Sequence, residues 1–254
     1  MKISIITATY NSSKTLRDTL ESVLNQTCQD IEHIIVDGGS KDATLEIIKE
    51  YEPKFNGRLK WISEKDNGIY NAMNKGIDLT SGEVVGILNS DDLYFNSNVI
   101  YDVMNEFQND PYLEAVHANL YYVKNDDVNF VVRHWITGDF LEKSFFKGWH
   151  PAHPTLFLKK NVYYKCGNFN LDFDLAADFE FMLRIFEVFK IKSKFIPKTI
   201  VKMRLGGATS KNIINIIKGN RECIKAFKAN KLTPPFLYPF YRLIPKLKQF
   251  FNKR

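Results

Sequence analysis

Residues 84–92 read Val84-Val85-Gly86-Ile87-Leu88-Asn89-Ser90-Asp91-Asp92. A short apolar run ending in a polar cluster is the pattern of a buried strand and its exit loop. Toward the N-terminus the pattern recurs. Ile3–Ala8 leaves through Thr7–Asn11, Ile31–Val36 through Asp37-Gly38-Gly39-Ser40, and the weaker Leu59–Ile62 through Lys65–Asn67. Helical patterns separate these runs. Leu16, Leu20, Val23 and Leu24 share one face. Leu45, Ile47, Ile48 and Tyr51 form a second helix, capped by Ser40 or Asp42 and stopped before Pro53. Ile69, Met73, Gly76 and Ile77 form a third, over 69–79. Strand–helix alternation implies parallel strands with crossover helices, and such sheets bind ligands at the carboxyl ends of their strands. The four polar exits are therefore expected on one rim.

Beyond residue 112 the grammar changes. Residues 113–118, 120–124 and 129–133 read as strands, with a turn at Asn125-Asp126-Asp127. The loop Gly148–Pro154 follows, and then a helix over 178–189 that turns Phe181, Met182, Ile185 and Phe189 inward. A strand over 195–203, a helix over 211–231 and a break at Pro234-Pro235 complete the reading. The expected division is 1–232 as one domain and 233–254 as a basic, aromatic tail.

The 254 residues are 44% hydrophobic and 25% charged, which excludes a disordered, collagen-like or polytopic membrane chain. The net charge of +6 is a difference between two opposed regions. Residues 1–187 hold 18 basic and 28 acidic side chains; residues 188–254 hold 17 basic ones and a single acid, Glu222. The basic end carries no nucleic-acid-binding motif, so no nucleic acid partner is expected. Its aromatic and basic character suits an anionic membrane surface, or a helix packed on the domain. No apolar run is long enough to span a bilayer, and the N-terminus reads as a strand and not as a signal peptide. Cys28, Cys166 and Cys223 give neither a disulfide framework nor metal-ligand spacing, which fits a reducing compartment.

Several clusters carry chemistry. Asp91 and Asp92 repel each other unless a divalent cation, sugar hydroxyls or backbone N–H groups offset their charge. Their hard oxygens suit Mg2+ or Mn2+; a turn capping the next helix is the plainer alternative. Neither glycine-rich phosphate motif is present, so a metal would have to bridge a bound diphosphate. Asp37 could accept hydrogen bonds from a base or ribose, or could brace a tight turn. Asp178 opens a helix, where the dipole stabilises an acid, and could serve as a general base. His150 and His153 lack a third ligand for zinc. Gly206-Gly207-Ala208-Thr209-Ser210 could wrap a diphosphate or simply connect two elements.

Taken in order, the pieces Thr7–Asn11, Val36–Thr44, Asp66–Ile77, Gly82, Leu88–Asp92, His153 and Ala177–Glu180 with Arg184 resemble the inverting family 2 glycosyltransferases that build bacterial surface polysaccharides. The resemblance covers about residues 1–210. It implies an α/β GT-A fold: a Rossmann-like, mostly parallel sheet with helices on both faces. A nucleotide-sugar half over 1–120 would join an acceptor half over 121–232, with a β-hairpin region and a C-terminal amphipathic tail. It implies donor contacts at Thr9, Tyr10, Asp37, Asp66, Lys75 and Asp91, a metal ligand (Mn2+ or Mg2+) at Asp92, and a catalytic base at Asp178. It further implies a nucleotide-sugar donor, with Asp37 reading uracil, and a glycan or lipid-linked acceptor. With the basic, aromatic tail, the expected location is cytoplasmic, on the inner face of the cell membrane. Ala177 and Pro154 depart from the pattern, where many relatives carry Glu and Gln. An inactive nucleotide-sugar-binding scaffold is the competing class.

Overall fold

A computed structural model describes residues 1–206 and 213–242. The strands are β1 (Ile3–Thr9), β2 (Ile31–Asp37), β3 (Leu59–Ser63), β4 (Val84–Ile87), β5 (Leu93–Tyr94), β6 (Ala115–Val123), β7 (Val131–Trp135), β8 (Phe157–Lys159) and β9 (Ser193–Arg204). The helices are α1 (Leu16–Leu24), α2 (Thr44–Tyr51), α3 (Ile69–Leu79), α4 (Val99–Asn109), α5 (Lys160–Cys166), α6 (Ala177–Leu183) and α7 (Ile213–Ala229). One sheet orders its strands β3-β2-β1-β4-β8-β6-β9-β5, and β7 adds to β6.

Alternation along β1 explains the layering. Ile3 and Ile5 point to a core under α1, α2 and α4, whereas Ile6 and Ala8 point to one under α3, α6 and α7. Helices therefore cover both faces. Strands β3, β2, β1 and β4 run parallel, which places their exits on one rim, as the sequence implies. Gly76 lets α3 lie against β1, because a Cβ there would collide with Ile6 Cγ2.

The second half departs from the reading in three places. The two expected strands at 113–118 and 120–124 are one strand, β6, which spans the expected 120/121 division and slips register near Asn119. Strand β8 and helix α5 form at 157–166, where no element is expected. The helix expected over 178–189 is α6 followed by a π-helical turn at Arg184–Val188.

Past the break expected near Thr233, Tyr238 is fully buried against Phe179 and Phe227, and Arg242 donates to Asn220 Oδ1. The rest of the expected tail, 243–254, lies outside the described residues. So does the connection 207–212.

Candidate active site

The rim is tied together before any ligand is considered. Ser12 and Ser90 hydroxyls meet at 2.9 Å, and Thr15 Oγ1 donates to the Ser90 carbonyl. Thr19 Oγ1 donates to the Asp92 carbonyl at 2.7 Å. From the other side, Arg204 at the end of β9 donates to the Asp91 carbonyl at 2.7 Å and pairs with Asp18 of α1. Arg204 is buried, and the sequence reading missed it because its partners lie far away in sequence.

A cavity of about 430 Å3 opens among the strand exits, lined by Thr9, Tyr10, Gly38, Asp66, Ile69 and Ser90 among others. Tyr10 is exposed and lies beside Gly38, its ring Cδ2 3.4 Å from where a Gly38 Cβ would stand. Thr9 Oγ1 and Asp66 Oδ2 are buried in the wall with no hydrogen-bond partner among the described residues. Lys75, on α3, pairs with Asp66 at 2.6 Å and with Glu64 at 2.5 Å, and these partners, Asp66 first, hold its ammonium above the usual lysine range. Three of the expected donor residues, Thr9, Tyr10 and Asp66, thus line one cavity.

Asp37 is placed differently. Its side chain is buried, and Oδ2 accepts from Gly39 N, Ser40 N and Ser63 Oγ at 3.1, 3.0 and 2.6 Å. Oδ1 takes the Ser40 hydroxyl. The carboxylate braces its own loop, and Gly38, not Asp37, faces the cavity. Base reading by Asp37 would use only the remaining acceptor position of Oδ1.

Asp92 is fully buried; Oδ2 accepts from Asn89 Nδ2 at 2.8 Å, and Oδ1 has no partner among the described residues. Burial, and then the neighbouring Asp91, push the Asp92 carboxyl well above its ordinary range; burial raises Asp91 as well. A cation would relieve this cost. Among the described residues no group of three or more His, Cys, Asp or Glu side chains could hold one. Mg2+ and similar hard ions need only one or two carboxylates when phosphate oxygens and water complete the shell, so the orphaned Oδ1 beside Asp91 fits such an ion.

Asp178 is half-buried in the first turn of α6 and accepts the Tyr70 hydroxyl on Oδ1 at 3.0 Å. Glu180, two residues on, is committed elsewhere: Arg184 grips both its oxygens at 3.1 and 2.9 Å, and Asn230 donates to it. Of the two acids, Asp178 is the half-exposed one, and Glu180 is buried. On Tyr122 of β6, burial raises the phenol, the Arg133 charge opposes this, and the charges of Asp92 and then Asp178 add to it. From Tyr122 an aromatic wall continues through Trp135, His150 and Phe179. His150 is part of this wall. His153 lies close enough to feel the charge of Asp178; burial pulls its pKa down and leaves Nε2 without a partner among the described residues.

A cavity with unsatisfied polar walls, a carboxylate pair suited to a cation and a separate half-exposed carboxylate are parts that a group-transfer enzyme needs. The chain belongs to glycosyl transferase family 2, whose model matches residues 4–169, and it is a glycosyltransferase. A PGL/p-HBAD biosynthesis glycosyltransferase of Mycobacterium bovis is 28% identical over 212 residues, 84% of this chain and 80% of that one. An uncharacterized glycosyltransferase of Mycobacterium tuberculosis is 32% identical over 184 residues, 72% of this chain and 68% of that one. In structure the chain resembles S. aureus TarS 1–349 in complex with UDP-GlcNAc, with a TM-score of 0.70, 16% identity and coverage of 99% and 79%. It also resembles the mannosyltransferase PcManGT from Pyrobaculum calidifontis in complex with GDP-Man and Mn2+, with a TM-score of 0.68, 16% identity and coverage of 97% and 73%. These likenesses establish the GT-A fold.

Proposed function

We propose that the protein transfers a sugar from a nucleotide-diphosphate donor, UDP-linked, to a glycan or lipid-linked acceptor of a cell-surface polysaccharide, with inversion at the anomeric carbon. The observation that carries this reading is a pair of unlike carboxylate sites, one buried and one half-exposed. Asp92 is buried, with Oδ1 lacking a partner among the described residues, and Asp178 is half-buried at the start of α6. Tyr10 stacks on the base beside Gly38, and Asp37 holds that wall in place. Thr9, Asp66 and Lys75 line or flank the donor pocket, and Asp91 meets the ribose or sugar.

Asp92, with Asp91 beside it, would hold Mn2+ or Mg2+, which when bound supplies positive charge opposite the leaving diphosphate. Asp178 accepts the proton of the acceptor hydroxyl as that oxygen attacks the anomeric carbon from the face opposite the diphosphate. The oxygen–carbon bond forms as the carbon–phosphate oxygen bond breaks. A single displacement turns an α-linked donor into a β-linked product. The aromatic wall from Tyr122 to Phe179 borders the acceptor.

The same reading places the enzyme on an anionic membrane. Among the described residues no helix is long and apolar enough to cross a membrane. Helix α7 exposes Ile214, Ile216 and Ile217, and the following segment exposes Phe236 and Phe240, all in the basic region of the chain. A thermal-shift screen of UDP- and GDP-sugars with Mn2+ tests the donor. A UDP-sugar that raises the melting temperature only with Mn2+ supports the reading, and no response to any nucleotide sugar contradicts it.

A further inference from the structure

Among the described residues Asp178 receives one side-chain hydrogen bond, and it comes from across the fold. Tyr70 Oη donates to Asp178 Oδ1 at 3.0 Å, joining α3 to α6 across 108 positions of sequence. The phenol ring is held against Phe169, centroid to centroid 5.7 Å. Burial, and then the charge of Asp178, push the Tyr70 phenol well above its ordinary range. Its proton therefore stays on oxygen throughout the range in which the protein works, and the group acts as a donor.

The other groups around Asp178 do something else. Tyr122 of β6 feels its charge, with the Arg133 guanidinium of β7 3.8 Å from the centre of the Tyr122 ring. His153, in the short helical turn His153–Thr155, also feels its charge, while burial pulls the pKa of that imidazole down. Glu222 of α7 binds backbone N–H groups of 174–176 and acts on Tyr70 through its charge. On α6 itself, Glu180 and Arg184 neutralise each other. None of these donates to the carboxylate.

We propose that Tyr70 is the positioning residue of Asp178: it fixes Oδ1, and with it the orientation of the carboxylate, before the acceptor arrives. This rests on the reading of Asp178 as the base. A general base must be aimed before it can take a proton, and a donor held on one carboxylate oxygen leaves the other for that proton. The acceptor proton goes to Oδ2 while Tyr70 goes on donating to Oδ1, so no proton passes through the phenol. Ile69 and Ala72 of the same helix line the donor cavity, so one helix shapes the donor pocket and aims the base.

The test is the carboxyl carbon NMR resonance of Asp178 at one fixed pH, on protein labelled at aspartate and assigned by Asp178→Asn. In Tyr70→Phe, which keeps the ring and loses only the donor, the resonance should move, and kcat for sugar transfer should fall about tenfold with the KM for the donor unchanged. A fluorotyrosine at position 70, a stronger donor of nearly the same shape, should move the resonance the other way, and this arm decides the matter if Tyr70→Phe fails to fold. A resonance unmoved in both variants overturns the proposal. The NMR measurement needs no substrate, so it is separate from the base assignment itself, which fails instead if Asp178→Asn retains turnover.

Discussion

Glu222 accepts the backbone N–H of Ala176 at 2.9 Å, and with it those of Leu175 and Asp174 at 2.8 and 3.3 Å. The single acid of the basic C-terminal region is thus spent on the chain that leads into α6. α6 itself has no side-chain cap. Three donors that would otherwise be orphaned are satisfied from α7, two residues before Asp178.

Glu222→Leu should therefore destabilise the protein by about 3 kcal/mol, since buried N–H groups lose their acceptor. Urea unfolding measures this. Glu222→Gln, which keeps an acceptor oxygen, should recover most of the loss. Equal stability of the Leu variant and the wild type would refute the capping role.

The pH dependence of stability has a definite sign. Burial lowers the pKa of His33 to about 3 and that of His117 to about 4. Both are depressed below the ordinary 6.5, so the unfolded chain binds protons that the folded chain refuses. The stability they contribute is complete above pH 6.5 and is lost as pH falls toward 4, at up to about 1.4 kcal/mol per unit for each group. His117 is ringed by Trp149, Phe186 and Phe195, so His117→Phe should fit and should reduce that slope. The difference between the two proteins isolates His117, because the raised Asp91 and Asp92 contribute equally to both. An unchanged slope in urea melts between pH 4.5 and 6.5 would contradict this.

Asp92→Asn should separate stability from function. The buried charge is unfavourable without a cation, so the metal-free variant should gain about 1 kcal/mol. It should also lose Mn2+-dependent binding of UDP, which calorimetry measures. Retained Mn2+-dependent binding would remove Asp92 from the metal site.

Gly76→Val should push α3 off β1, because Ile6 occupies the space. A loss of about 2 kcal/mol is expected, with weaker nucleotide binding because α3 carries Lys75 and lines the cavity. Thermal melts and calorimetry read both effects.

The sequence made the first half of this fold legible because its strands are continuous apolar runs and its helices have clear faces. Helix α3 begins and ends where the Ile69–Leu79 pattern does. The short strands were harder to read for a physical reason. β5 and β8 are two and three residues long and exist only through antiparallel partners brought in by tertiary structure. In the site, the carboxylates at strand and helix ends could be read from position. The partners that define them could not. Arg204 reaches Asp91 over 113 residues and Tyr70 reaches Asp178 over 108. Asp37 turning back on its own loop is likewise a matter of side-chain direction, which residue order does not specify.

The central claim is that Asp178 is the base of a sugar transfer. The direct measurement is turnover of radiolabelled UDP-sugar with Mn2+, including slow hydrolysis, by wild type and Asp178→Asn, with UDP binding followed in parallel. The expected result is turnover reduced by at least about a hundredfold with UDP binding intact. Wild-type turnover by Asp178→Asn would contradict it.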